Sequence, residues 1–118
     1  MEINILGTTY SVIRMNYNEY PAFKEKSCDG QCDSIMKKIT LCRIKTFPGY
    51  ENESDEFCEL VEKEVLRHEI VHAFFNESGL QGSSNVFGDA WTKNEEMIDW
   101  IALQAPKLMK AFEEAGCM

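Results

Sequence analysis

The chain has 118 residues, 44% of them hydrophobic, with 12 basic and 20 acidic side chains and a net charge of -8. That length predicts a single domain over residues 1–118, and the negative charge argues against nucleic acid and anionic membranes as partners, because both attract positive charge. The sequence contains neither an apolar run long enough for a bilayer nor the pattern of a signal peptide, so we expect a cytoplasmic protein.

The first third of the chain has the patterns of β-strands. Alternating apolar and polar residues predict a hairpin over residues 3–15. Residues 17–29 are typical of irregular chain or a short helical turn, and the pair Asp29-Gly30 is a turn signal. Residues 38–44 alternate again, with some β-branched side chains, and predict a further strand.

The cysteines are spread along the chain, at Cys28, Cys32, Cys42, Cys58 and Cys117. An odd number without a secretion signal does not predict a disulfide framework. The spacing of Cys28 and Cys32 could hold a metal, but no second Cys/His pair lies where a zinc finger would need it. We therefore expect reduced thiols, several of them packed as small hydrophobic side chains.

A long helix is expected in the middle of the chain. Residues 51–56 hold four acids. Their spacing does not match a calcium loop, and it favours a helix start, where carboxylates interact with the positive end of the dipole. Apolar periodicity then predicts a central, buried helix over residues 54–78, with Gly79 as its stop.

A second helix is expected after a polar loop at residues 81–89. Its start is predicted at Thr92 or Asn94, since both are good N-cap residues, and Pro106 is expected to kink or restart it. Three large aromatic side chains of this region are expected in the core: Trp91, Trp100 and Phe112.

Residues 68–72 read His-Glu-Ile-Val-His and carry the chemistry. On a helix, His68 and His72 lie on one face a turn apart, the spacing at which two imidazole nitrogens reach one tetrahedral zinc ion. Glu69 could take a proton from a water molecule bound to that metal. These are the chain's 2 histidines, and burying them without a metal would require a hydrogen bond for each. The motif predicts one Zn²⁺ per chain; the alternative is two structural histidines.

The motif, followed by Asn-Glu-Glu-Met-Ile-Asp at residues 94–99, resembles the gluzincin metallopeptidases. The compact length is similar to the minimal gluzincins and to small peptidases of phage and prophage genomes, over residues 30–105. The resemblance implies an α+β, zincin-like fold: a small antiparallel sheet packed on the motif helix and on a C-terminal helix that carries the third metal ligand. It also implies a peptide substrate along an edge strand, for which residues 31–44 are the candidate.

The third ligand is Glu95 or Glu96, and helical periodicity alone leaves both open. The resemblance favours Glu95, because Asn94, Glu95 and Asp99 match the gluzincin pattern Asn-Glu-x-x-x-Asp. It also implies that Asp99 accepts a hydrogen bond from the ring nitrogen of His68 that faces away from the metal. In the alternative, Glu95 only closes a capping box at the helix start and Asp99 is solvated.

The expected function is zinc-dependent hydrolysis of peptide bonds, with an activated water as nucleophile and Glu69 as general base and then acid. Tyr50 is a candidate electrophile, since the chain has no third histidine. The alternative is a zinc-stabilised binding or regulatory module with weak or no hydrolysis; Glu69 discriminates, because a structural site needs no base. A further alternative is a latent peptidase whose C-terminal tail and Cys117 cover the zinc.

Overall fold

A computed structural model describes residues 1–79 and 94–115 of the chain. The described part is an α+β fold, which confirms the predicted class. Its elements in chain order are β1 (Glu2–Ile5), β2 (Thr8–Met15), α1 (Pro21–Glu25), β3 (Gly30–Asp33), β4 (Lys38–Cys42), α2 (Asp55–Glu77) and α3 (Glu95–Ala115). Short 3-10 turns at Tyr17–Glu19 and Ile44–Thr46 connect them. No helix in these described ranges has both the length and the apolar character needed to cross a membrane.

The sheet has the strand order β1-β2-β4-β3, with antiparallel pairing in the predicted hairpin β1–β2 and in β3–β4. The pair β2–β4 is parallel, so the expectation of an antiparallel sheet is wrong at its centre. A parallel pair needs a crossover connection of about a dozen residues or more. Residues 16–37 provide that length, through α1 and β3. This arrangement leaves β3 at one edge of the described sheet and places β4 between β2 and β3. The rim predicted at residues 31–44 is therefore right for most of β3 and wrong for β4.

The turn expected at Asp29-Gly30 is wrong, because Gly30 begins strand β3 and pairs with Leu41. A Cβ atom added to Gly30 would lie 2.6 Å from Cγ1 of Val65 on α2. Glycine is needed there for the close approach of strand and helix rather than for a turn, and this tertiary requirement cannot be read from local propensity.

Helix α2, observed over Asp55–Glu77, lies within one residue of its predicted bounds at each end. The Ser54 side chain accepts a hydrogen bond from the backbone N–H of Phe57 at 3.1 Å, and Gly79 follows the helix with a φ of 82°. The helix packs on the sheet and on the C-terminal helix, but it is less buried than expected, because part of its apolar surface faces solvent. Its buried residues are Cys58, Val65, Glu69 and Ala73, while Phe57, Leu60 and Phe74 are exposed.

Helix α3 packs on α2 through buried Ile98 and Ala102. The Asn94 side chain accepts a hydrogen bond from the backbone N–H of Met97 at 2.9 Å, which confirms Asn94 as the cap, and the helix continues through Pro106 without a restart. Trp100 is 56% exposed, so its predicted place in the core is wrong. Four further expectations lie outside the described residues: the polar loop at residues 81–89, the start at Thr92, Trp91 and the side chain of Phe112.

Candidate metal centre

The site forms where the middle of α2 faces the first turn of α3. His68 and His72 stand one turn apart on α2, and both side chains are partly buried. Glu95 is the first residue of α3 and faces the two rings. Its Oε2 lies 3.1 Å from Nε2 of His68, and its Oε1 lies 3.4 Å from Nε2 of His72. The two Nε2 atoms are 3.2 Å apart.

These three side chains form a group that could hold a metal ion, with one donor atom each and all donor atoms within 4.8 Å of one another. Zinc bonds of about 2.0–2.2 Å in a tetrahedron place neighbouring donor atoms about 3.3–3.6 Å apart. The observed separations of 3.1, 3.2 and 3.4 Å are close to that spacing. Two imidazoles and a carboxylate are also a donor set that catalytic zinc sites use.

Asp99 determines which nitrogen of His68 faces this group. His68 Nδ1 donates to Oδ1 of Asp99 at 2.6 Å, because an ionised carboxylate can only accept. In neutral His68, the unprotonated Nε2 then points its lone pair at Glu95. Two acceptors at 3.1 Å repel each other unless a cation, a metal ion or a proton, lies between them. The residues therefore fit a bound cation.

Burial also prepares His72 for a metal. Its partly buried ring has a lowered pKa, chiefly because burial disfavours the charged form, and only part of this is offset by the nearby charge of Glu95. A lowered pKa keeps the imidazole neutral, which is the form that binds metals.

Glu69 is the buried carboxylate of the site, with 6% of its surface exposed. Burial raises its pKa to about 7, with smaller raising contributions from the charges of Glu95, Asp29 and Asp99 and an opposing contribution from His68. Its side chain has no hydrogen bond or ion pair with any residue of the described ranges. A carboxylate with a pKa near neutrality can both take up and release a proton at pH 7.

All of these groups line a cleft of about 700 Å³ between β3, α2 and α3. Strand β3 supplies Gly30, Gln31 and Cys32 to one wall. The other wall comes from α3, through Ala102 and Leu103 beside the metal-facing acids. Helix α2 forms the floor. The edge strand predicted as the sheet rim therefore borders the candidate metal centre.

The remaining sequence candidates lie elsewhere or play no part in the donor group. Glu96 is exposed and does not line the cleft. Tyr50 stacks among Phe47 and Phe57, away from the cleft-lining residues. Cys117 lies outside the described residues.

Two cysteines line the cleft. Cys28 and Cys32 are both free, and burial raises the pKa of each thiol, for Cys32 to about 12. A thiol that stays protonated is a poor metal ligand, and neither cysteine belongs to the donor group of His68, His72 and Glu95.

Several residues of the cleft were missed by the sequence reasoning, among them Asn76, Asp29 and Glu64. Asn76 lines it one turn beyond His72 on α2, and helical spacing from the motif could have placed it there. Asp29 lines it just before β3, where local sequence indicated only a turn.

Comparison of the chain with protein-family models, curated proteins and solved structures finds no match.

Proposed function

We propose that this protein is a zinc-dependent metallopeptidase. The observation that carries the proposal is the convergence of His68, His72 and Glu95 at tetrahedral-edge distances. The buried carboxylate of Glu69, which has no hydrogen-bond partner among the described residues, lines the same cleft. Zinc is favoured over harder divalent ions because two of the three donors are imidazole nitrogens. An open cleft over the donor group leaves room for a water molecule and a peptide.

In this proposal the three side chains hold the ion, and Asp99 keeps His68 in the tautomer that can bind it. A zinc ion held there would polarise a water molecule and bring its pKa to about 7. With zinc bound, Glu69 would take up the proton that the water gives up as its oxygen bonds to the carbonyl carbon. Glu69 would then pass that proton to the amide nitrogen as the carbon–nitrogen bond breaks.

The rival function is a zinc-stabilised binding module, which would use the same donor group without hydrolysis. Two features favour the enzyme. A structural zinc site usually has four protein ligands, and only three donors gather in the described part of the chain. Burial also raises the pKa of Glu69 to about 7 beside the donor group, which suits a group that exchanges a proton and has no use in structural zinc binding.

The test compares zinc content and hydrolysis in variants of the intact chain. Elemental analysis of purified wild-type protein should find one zinc per chain, and His68→Ala should lose it. Glu69→Gln should keep the zinc, because Glu69 is not a ligand, while hydrolysis of a broad peptide library falls about 10²–10⁴-fold.

The matched control is Glu59→Gln, an exposed residue of the same helix that pairs with Lys63. It should change neither zinc content nor activity. Equal zinc in wild type and His68→Ala would refute the metal site. A wild-type protein that holds zinc but cleaves nothing in the library would favour the binding module.

A further inference from the structure

We propose that the cleft selects peptides that carry a lysine or arginine side chain, held between the carboxylates of Asp29 and Glu64. This inference rests on the proposed function for the identity of the ligand as a peptide. It adds the substrate class and two specificity-determining residues.

The first argument is the charge of the cleft wall. Its carboxylates are Asp29, Glu64, Glu69, Glu95 and Asp99, and its one ammonium group among the described residues is Lys26. Glu95 and Asp99 are engaged by the histidine rings. Asp29 and Glu64 have no ion pair or side-chain hydrogen bond with any residue in the described ranges. The cleft therefore offers two uncompensated negative charges to a ligand.

Arg67 does not neutralise this pair, although it follows Glu64 by three positions on α2. Its Nε donates to the backbone carbonyl of Ala102 at 2.8 Å, and its side chain does not line the cleft. Lys26 lies in an exposed segment and forms no ion pair within the described chain. A cationic side chain from a ligand can thus reach the two carboxylates without displacing an existing ion pair.

The second argument is where the two carboxylates stand. Glu64 precedes His68 by one helical turn, which separates their Cβ atoms by about 5–6 Å. Asp29 precedes Gly30, and Gly30 packs against Val65, the neighbour of Glu64. Both acids therefore lie at the same end of the cleft. An extended peptide advances about 3.3 Å per residue, so the selected side chain belongs to the first or second residue from the cleaved bond.

The aliphatic wall at this end suits a long cationic side chain. Ala102 and Leu103 line the cleft on α3, and the hydrogen bond from Arg67 places Ala102 level with this part of α2. Lysine and arginine pack their methylene stems on such surfaces while the charged end reaches polar groups.

An independent observation indicates that the cleft receives a ligand at all. Glu69 is 6% exposed, lines the cleft and has no hydrogen-bond partner in the described part of the protein. No polar side-chain atom in that part is both shut off from solvent and without a partner, so the Glu69 oxygens open onto the cleft, where a ligand that enters can reach them.

The experiment measures binding rather than turnover. Fluorescein-labelled alanine-rich heptapeptides carry lysine, arginine, norleucine or glutamate at each position in turn, and anisotropy gives their affinity for the Glu69→Gln protein with and without zinc. Lysine and arginine peptides should bind about 3–10-fold more tightly than norleucine peptides. The preference should shrink at high salt, because salt screens charge interactions.

The double variant Asp29→Asn/Glu64→Gln, in the same Glu69→Gln background, should lose the preference for lysine and arginine over norleucine. The matched control Glu56→Gln/Glu59→Gln removes the same charge from exposed positions of α2 outside the cleft and should keep the preference. Equal binding of lysine and norleucine peptides by the parent protein, or an unchanged preference in the cleft variant, would overturn the proposal.

The two proposals can fail separately. Zinc content and library hydrolysis of the wild type are measured on the same preparation. A protein that holds no zinc and cleaves nothing, yet prefers cationic peptides, would end the peptidase proposal and support the charge-selective cleft. A protein that holds zinc and cleaves peptides, yet binds norleucine and lysine peptides equally, would support the peptidase proposal and end the proposal of a charge-selective cleft.

Discussion

Helix α2 carries two carboxylates, Glu69 and Glu77, that lie two turns apart in opposite surroundings. Glu77 accepts hydrogen bonds from the hydroxyl of Tyr10 at 2.7 Å, from Nζ of Lys37 at 2.5 Å and from the hydroxyl of Thr8 at 2.9 Å. Glu69 accepts none from the described residues, although it is the more buried of the two. The same helix thus carries one carboxylate whose hydrogen bonds all come from the protein, which we call the completed network. It also carries one that receives none from the described residues, which we call the incomplete site.

The pKa values of the two groups follow this difference. Hydrogen bonds, from Lys37 above all and then from Tyr10, lower the pKa of Glu77 to about 2. Burial without donors raises the pKa of Glu69 to about 7. The Glu77 network fastens the end of α2 to β2 and to the β3–β4 turn, and it needs nothing from outside the protein. Near Glu69, by contrast, two hydrogen-bond acceptors face each other, Nε2 of His68 and Oε2 of Glu95. Such an arrangement beside a carboxylate of perturbed pKa is typical of a functional site rather than a structural one.

The largest effect expected at the incomplete site is loss of zinc from Glu95→Ala. Removing hydrogen-bond partners of metal ligands already lowers affinity about 10–100-fold, so loss of a ligand should exceed 100-fold. Glu96→Ala is the matched control, because Glu96 is adjacent, exposed and outside the cleft. Competition with a chromophoric chelator measures both affinities. Weaker zinc binding in the Glu96 variant, with an unchanged Glu95 variant, would exchange the two assignments.

A smaller loss is expected from Asp99→Ala, which removes the hydrogen bond to His68 Nδ1 and keeps all three donors. Zinc affinity should fall about 10–100-fold, because His68 is then free to change tautomer and orientation. Asp99→Asn separates geometry from charge: an amide oxygen can still accept from Nδ1, so this variant should retain more affinity than Asp99→Ala. Equal losses in both variants would show that charge alone matters.

A third prediction concerns the contact that places β3 beside Glu69. Gly30→Ala puts a methyl group 2.6 Å from Cγ1 of Val65 and 3.1 Å from Oε1 of Glu69. Val65 is β-branched and stiff on a helix, so the strand must move, and overpacking of this kind lowers the free energy of unfolding by about 1–3 kcal/mol. Denaturant titration measures the loss.

The control for that contact is a double-mutant cycle with Val65→Ala, which removes the group that the new methyl meets. The double variant Gly30→Ala/Val65→Ala should be more stable than the sum of the two single losses predicts. Strict additivity would mean that Gly30 is required for some reason other than its approach to Val65.

Much of the fold could be predicted from the sequence because periodicity and caps are local signals. The β1–β2 hairpin and the start of α2 near residue 54 were predicted, and the start of α3 after Asn94 was one of two predicted starts. Each depends on side chains close in sequence. The parallel pairing of β2 with β4 could not be, since it depends on how residues 16–37 cross the sheet. The turn predicted at Asp29-Gly30 is wrong for the same reason, because the pairing of Gly30 with Leu41 depends on residues distant in sequence.

The candidate site divides in the same way. The spacing of His68 and His72 follows from helix geometry alone, so their meeting at one point was predictable. Glu95 was favoured over Glu96 only by resemblance to a motif, and the packing of α3 on α2 is what brings it to the rings. Asp29 and Glu64 line the same cleft only because the chain folds. The local sequence around either residue does not predict that cleft.

The smallest effect is expected at the completed network, as a pH dependence of stability. The pKa of Glu77 is lowered from 4.5 to about 2 in the folded protein. A group whose folded pKa is depressed stabilises the fold above its unfolded pKa, and that contribution is lost as the pH falls through the folded pKa. The contribution of Glu77 should therefore be constant above pH 4.5 and should decline between pH 4.5 and about 2.

Urea titrations of metal-free wild type and Glu77→Gln across this range isolate the contribution, because the other carboxylates are common to both proteins. The difference in their free energies of unfolding should be largest above pH 4.5 and shrink toward pH 2. Tyr10→Phe, which removes one donor and leaves the ion pair with Lys37, should move the decline to higher pH. A difference that stays constant down to pH 2 would show that Glu77 is held by shape rather than by its charge, and the contrast with Glu69 would no longer be one of electrostatics.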